Sequence, residues 1–109
     1  MDHVRLVLCT FPDAEQARQI GTLAVKNQAI ACVNLIPGIE SIYRWQGKVE
    51  SSREVLAIFK TTDAAYPAFA AWLATAHPYD TPEIIAIRPS EVDPRYLGWI
   101  VESVADDAR

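Results

Sequence analysis

The sequence predicts an α+β fold of the ferredoxin-like, split β-α-β type: an antiparallel sheet with a long β-hairpin and a short C-terminal helix. Three observations carry this. Strand-like and helix-like periodicities follow one another in the order β-α-β-β-α-β before a last helical segment. Gln46-Gly47 separates two alternating runs, the mark of a two-residue hairpin turn. Asp13 with Gln16 three residues on, and Asp93 followed by Pro94, are helix starts.

In chain order, Val4-Arg5-Leu6-Val7-Leu8-Cys9 is a short apolar run that reads as a buried strand. Helix one follows, with Ala17, Ile20, Gly21, Ala24 and Val25 at helical spacing. Gly21 inside it implies a close packing partner, since glycine there costs up to about 1 kcal/mol relative to alanine. From Ile30 to Thr61 the chain is strand-like on both sides of the turn. A two-residue loop sets Trp45 opposite Lys48, Tyr43 opposite Glu50 and Glu40 opposite Arg53, and the last pair joins opposite charges across the ladder. Pro37-Gly38 interrupts the first arm, so a bulge is expected there. In the second arm Val55, Ala57 and Phe59 alternate with Leu56 and Ile58, an apolar pattern on both faces that belongs in the middle of a sheet. Helix two carries a Tyr66, Phe69, Leu73, Ala76 stripe, with Pro67 in the first turn where proline is tolerated. Glu83 to Arg88 is the last strand, Asp93 caps helix three, and residues 105–109 are a polar tail.

The 109 residues form one domain, 1–109. The net charge of −4 and the lack of a Lys/Arg cluster argue against nucleic acid or an anionic membrane as partner. No apolar run approaches the ~20 residues that span a bilayer, and the N-terminus has no cleavage-site pattern. Two cysteines do not make a disulfide framework, so the expected setting is the cytoplasm, with reduced thiols.

The hairpin raises a geometric problem. An arm of about 14 residues is roughly 45 Å long, whereas a folded chain of this length has a diameter of roughly 35 Å. A protruding arm offers unpaired backbone to another chain. Its tip carries Tyr43, Arg44 and Trp45, residue types that anchor interfaces. Self-assembly is the expectation, with no subunit number fixed by geometry; the alternative is an arm folded back over its own sheet.

At this point the residues resemble a known family. Ala31-Cys32-Val33-Asn34, Pro37-Gly38, Trp45-x-Gly47-Lys48 and His77-Pro78-Tyr79-x-x-Pro82-Glu83, with the "VLCTFPD" opening and "YLGWI" near the end, are similar to the CutA family of divalent-cation tolerance proteins. The likeness runs from about Val4 to Ile100. It implies a ferredoxin-like homotrimer with strands continuing across subunits, a cytoplasmic setting, and tolerance of copper and other heavy metals. The trimer also resembles PII-type signalling proteins, a likeness of fold that warrants no function.

The soft and borderline metal donors are Cys9, Cys32, His3, His77 and Met1; thiolate with imidazole suits copper or zinc. The resemblance places a copper ion on Cys9 and His77; Cys32, in an apolar strand, reads first as core, with a metal role as the alternative the resemblance leaves open. Related sequences carry two histidines in this segment, whereas here Ala76 precedes His77. Against ligation stand two structural readings: Cys9 as a small buried hydrophobe, and His77 as a helix C-terminal residue bonding carbonyls. A second group, Tyr43, Trp45, Glu54, Lys60, Tyr79 and Glu83, is implied by the resemblance to gather at clefts between subunits. It reads first as a hydrogen-bond and ion-pair network fixing the assembly. The rival is a signalling or scaffold module whose cleft takes a small ligand or a partner protein. With no nucleophile elbow, HExxH, CxxC or phosphate-cradling glycine loop, the sequence reads as that of a non-enzyme.

Overall fold

Strand β1 (Val4–Phe11) runs two residues past the expected end at Cys9. In the computed structural model, which describes residues 3–105, it is followed by α1 (Ala14–Lys26), β2 (Cys32–Trp45), β3 (Lys48–Thr62), α2 (Tyr66–Ala76), β4 (Ile85–Ile87) and α3 (Pro94–Ser103). The sheet order is β2-β3-β1-β4 and every pairing is antiparallel. This is the split β-α-β arrangement, with β3 inserted between the two strands that α1 connects.

Local chemistry accounts for the element ends. The Asp13 carboxylate accepts from the Gln16 backbone N–H at 2.8 Å, and the Gln16 side-chain amide donates back to the same carboxylate at 2.8 Å. Asp93 accepts from the Arg95 and Tyr96 amides at the start of α3. Gln46 and Gly47 both have positive φ, 50° and 80°, as a type I′ turn requires. The hairpin register is the expected one, Trp45 with Lys48, Tyr43 with Glu50 and Glu40 with Arg53. The ladder slips between Ile36 and Ile39, across Pro37-Gly38.

Helices α1 and α2 cover one face of the sheet, over a core of Val7, Cys9, Phe11, Ala17, Ile20, Ala24, Val55, Ala57, Phe59, Phe69 and Leu73. At Gly21 an added Cβ would lie 2.9 Å from Val33 Cγ1, so the missing side chain sets how near α1 sits to β2. Two stripe positions differ from expectation. Val25 is exposed because it lies roughly 90° round the helix from the centre of the Ala17-Ile20-Gly21-Ala24 stripe. Ala76 is exposed as the last residue of α2, where the chain turns away into the His77-Pro78 segment. The last strand is also shorter than Glu83–Arg88, because only Ile85–Ile87 reach β1, at Leu8, Val7 and Leu6.

The opposite face of the sheet is only partly covered. Helix α3 closes one end, packing Ile100 and Val104 with Val4 and Ala31 and against Leu6, Cys32 and Leu97. Beyond it, Leu8, Leu56 and Ile58 are half-buried and their cross-strand neighbours Ile36 and Ile85 are exposed. Only Val55–Thr62 of β3 pair with β1; Lys48–Glu54 pair with β2 alone, a two-stranded ribbon that extends the molecule to 46 × 26 × 22 Å. Of the expected polar tail, Ala105 is half-buried and donates its N–H to the Gln28 carbonyl; residues 106–109 lie outside the described residues.

Candidate functional site

The candidate residues meet where β1 ends, α2 ends and the ribbon begins. His77 caps the C-terminus of α2, its N–H on the Leu73 carbonyl, and then adopts the extended conformation usual before proline. Its ring turns back against β1. Nε2 lies 2.7 Å from the Thr10 carbonyl oxygen, and the Tyr79 amide N–H donates to Nδ1 at 3.0 Å. A carbonyl oxygen only accepts and a backbone amide only donates, so the imidazole is neutral with its proton on Nε2. Phe11 stacks on the ring at 4.5 Å between centroids, and the Tyr79 ring lies tilted against it at 4.8 Å. Burial pulls the His77 pKa below its ordinary value, against the opposing effects of the Thr10 bond and the Glu54 carboxylate.

Pro78 matters to this geometry. It has no N–H, so the first amide after His77 free to reach back to the ring is that of Tyr79. The strap then carries the Tyr79 ring to β3, where its hydroxyl donates to Glu54 at 2.6 Å. Glu54 sits opposite Ile39, just past the bulge, and is only 9% exposed. Burial and then the Glu54 carboxylate hold the Tyr79 pKa well above the usual phenol range, so the hydroxyl stays a donor.

Cys9 is fully buried in the helix-side core. Burial, then the negative charges of Glu83 and Glu54, push its thiol up to about 12. Its sulfur makes one weak polar contact, to the Thr10 carbonyl at 3.9 Å. Cys9 and His77 therefore meet around one backbone carbonyl. Nearby carboxylates favour a cation, but the donor atoms do not fit one: the thiol is protonated, Nε2 carries a proton, and the Nδ1 lone pair is taken. Among the described residues no group of three or more His, Cys, Asp or Glu side chains is arranged to hold a metal ion. Cys32 is half-buried on the other face of the sheet, opposite Lys60.

The second group is divided within one chain. Glu54 and Tyr79 are bonded, Glu83 and Tyr43 are near enough to act on Cys9 and Tyr79 electrostatically, and Tyr43 is linked to Ser52 along the ribbon. Trp45 is at the ribbon tip and 61% exposed. Lys60 belongs elsewhere: its ammonium donates to the Tyr96 hydroxyl at 3.3 Å and lies over that ring, which stacks on Trp99. Sequence reasoning missed the Thr10 carbonyl, the Phe11 stack and the Asp63 carboxylate, which binds both Arg5 and Arg88. Only the His-Pro-Tyr spacing hinted at the first.

Residues 5–103 match the family model described as CutA1 divalent ion tolerance protein. The chain belongs to that family. The divalent-cation tolerance protein CutA of Thermus thermophilus is 43% identical over 98 residues, 90% of this chain and 95% of that protein. Protein CutA of Mus musculus is 39% identical over 106 residues, covering 94% of this chain but 60% of the longer mouse protein. Among solved structures, the periplasmic divalent cation tolerance protein CutA of Archaeoglobus fulgidus superposes with a TM-score of 0.90 at 31% identity, over 94% of this chain and 99% of that one. The α+β fold of this CutA1 member is thus that of its solved relatives. No helix of its described residues is long and apolar enough to cross a membrane.

Proposed function

We propose that this CutA1 member is a non-catalytic homotrimer in the cytoplasm that takes up copper and related ions as part of heavy-metal tolerance. The observation that carries the assembly is the uncovered sheet face with its ribbon. On that face Ile36, Ile85 and Ile87 are 42%, 50% and 42% exposed and Trp45 at the ribbon end 61%, while Ile42 and Val49, on the ribbon's other face, are 69% and 71% exposed. Apolar side chains left exposed on an open sheet face and on both faces of a projecting ribbon are what a second copy covers. The number three follows the family resemblance, and the cytoplasm follows from the two free thiols.

Copper enters as cargo of the assembly. Of the three ligands the resemblance implies, Cys32 is the one outside the helix-side core, half-buried beside α3 on the sheet face that α3 closes at one end only, so we assign uptake to Cys32 and groups brought by the adjoining subunits. Native mass spectrometry during a copper(I) titration, beside Cys32→Ser, tests both halves. The expected result is a three-chain assembly that retains copper and loses it in the variant. A monomer at micromolar concentration overturns the trimer. A trimer that stays bare, or binds equally without Cys32, overturns the copper assignment.

A further inference from the structure

We infer that His77 is a positioning residue rather than a metal ligand: it is a hydrogen-bonding splint between the end of β1 and the strap that carries Tyr79 to Glu54. A metal-binding histidine typically donates one ring N–H to a carbonyl and presents the other nitrogen to the ion. His77 has the first half of that pattern, with Nε2–H on the Thr10 carbonyl at 2.7 Å. The coordinating place is filled by protein. The Tyr79 amide N–H donates to Nδ1, with 3.0 Å between the nitrogens, and the fixed φ of Pro78 sets the path of the chain between them. Phe11 stacks on the imidazole and the Tyr79 ring is tilted against it, so both pack on the ring that the two hydrogen bonds hold.

Removing Tyr79 from Nδ1 has a further cost. The Tyr79 amide would lose its acceptor and its hydroxyl would be drawn off Glu54, a carboxylate only 9% exposed. A metal at Nδ1 must therefore break a link that reaches to the base of the ribbon. The partner atom Cys9 Sγ lies in the apolar core under α1 and α2, on the opposite sheet face from Cys32. A complete soft site joining all three donors would need the sheet itself to move.

The tautomer is readable in the metal-free protein, independently of whether the assembly takes up copper. In 15N-labelled wild-type protein, long-range 15N–1H spectra should show His77 as the Nε2–H tautomer. Its Nδ1 signal should stay unshifted when copper(I), which is diamagnetic, is added. A proton found on Nδ1, or a saturable copper(I)-induced shift of Nδ1, overturns the inference. The variants divide the two bonds. His77→Asn places an acceptor near Nδ1 and should keep the Tyr79 amide slow to exchange, whereas His77→Gln keeps only the donor to Thr10 and should speed that exchange about tenfold or more. If copper(I) retained by the trimer falls by one ion per chain in both, His77 is a ligand and the inference fails.

Discussion

At residue scale, His77 shows how a titratable side chain is turned into a structural part. Its folded-state pKa is lowered by burial, so the unfolded chain takes up the proton first. The stability this imidazole contributes is complete above the unfolded value of 6.5 and is lost as pH falls toward the folded one. Added protons would face the Tyr79 N–H, donor against donor. Urea midpoints should therefore fall as pH drops below about 6.5 in the parent. The fall should be shallower in His77→Gln, which titrates nothing at that position; equal slopes would remove the burial argument. Little of this was legible in the sequence. That helix two ends at His77 follows from Pro78, but the bond to Thr10 has a backbone carbonyl as acceptor, and a carbonyl has no letter.

At the scale of elements, whatever is governed by neighbours in sequence was legible. The Gln46-Gly47 turn fixes the register of the ribbon, so Glu40 meets Arg53 and the Pro37-Gly38 slip falls where expected. Both aspartate caps hold because capping is decided within one turn of chain. Long-range features were not legible. The fourth strand shrinks to three residues because its extent is set by β1, and Lys60 goes to Tyr96, which α3 delivers from the far end of the chain. Gly21 lies between these cases: its presence in a helix flagged a close approach, and Val33 supplies it, near enough that an added Cβ would lie 2.9 Å from its Cγ1. Gly21→Ala gains helix propensity worth up to about 1 kcal/mol but drives a methyl into a β-branched side chain, an overpacking cost of about 1–3 kcal/mol. A lower urea midpoint with unchanged m-value is expected; a rise would mean that Val33 shifts freely.

At the scale of the whole molecule, the helices are spent on one side of the sheet and α3 closes only one end of the other. The remaining apolar surface, Ile85 and Ile36 above all, is placed for a second copy. Ile85→Asp puts a charge in the middle of that surface without disturbing the helix-side core. Sedimentation should find monomers of native far-ultraviolet spectrum; an intact trimer would move the interface elsewhere. Family membership could be read from the sequence because several of its motifs, Pro37-Gly38, Gln46-Gly47 and the His77-Pro78-Tyr79 strap, lie where few residue types serve. The ribbon carries a consequence in time. Two strands with no third beside them and no helix above cannot become stable alone. The half of the chain around the helix-side core can thus condense first, while the hairpin zips and unzips from Gln46-Gly47. If the chain assembles as proposed, the ribbon is fixed when another copy arrives, and the last step of folding is then second order in protein.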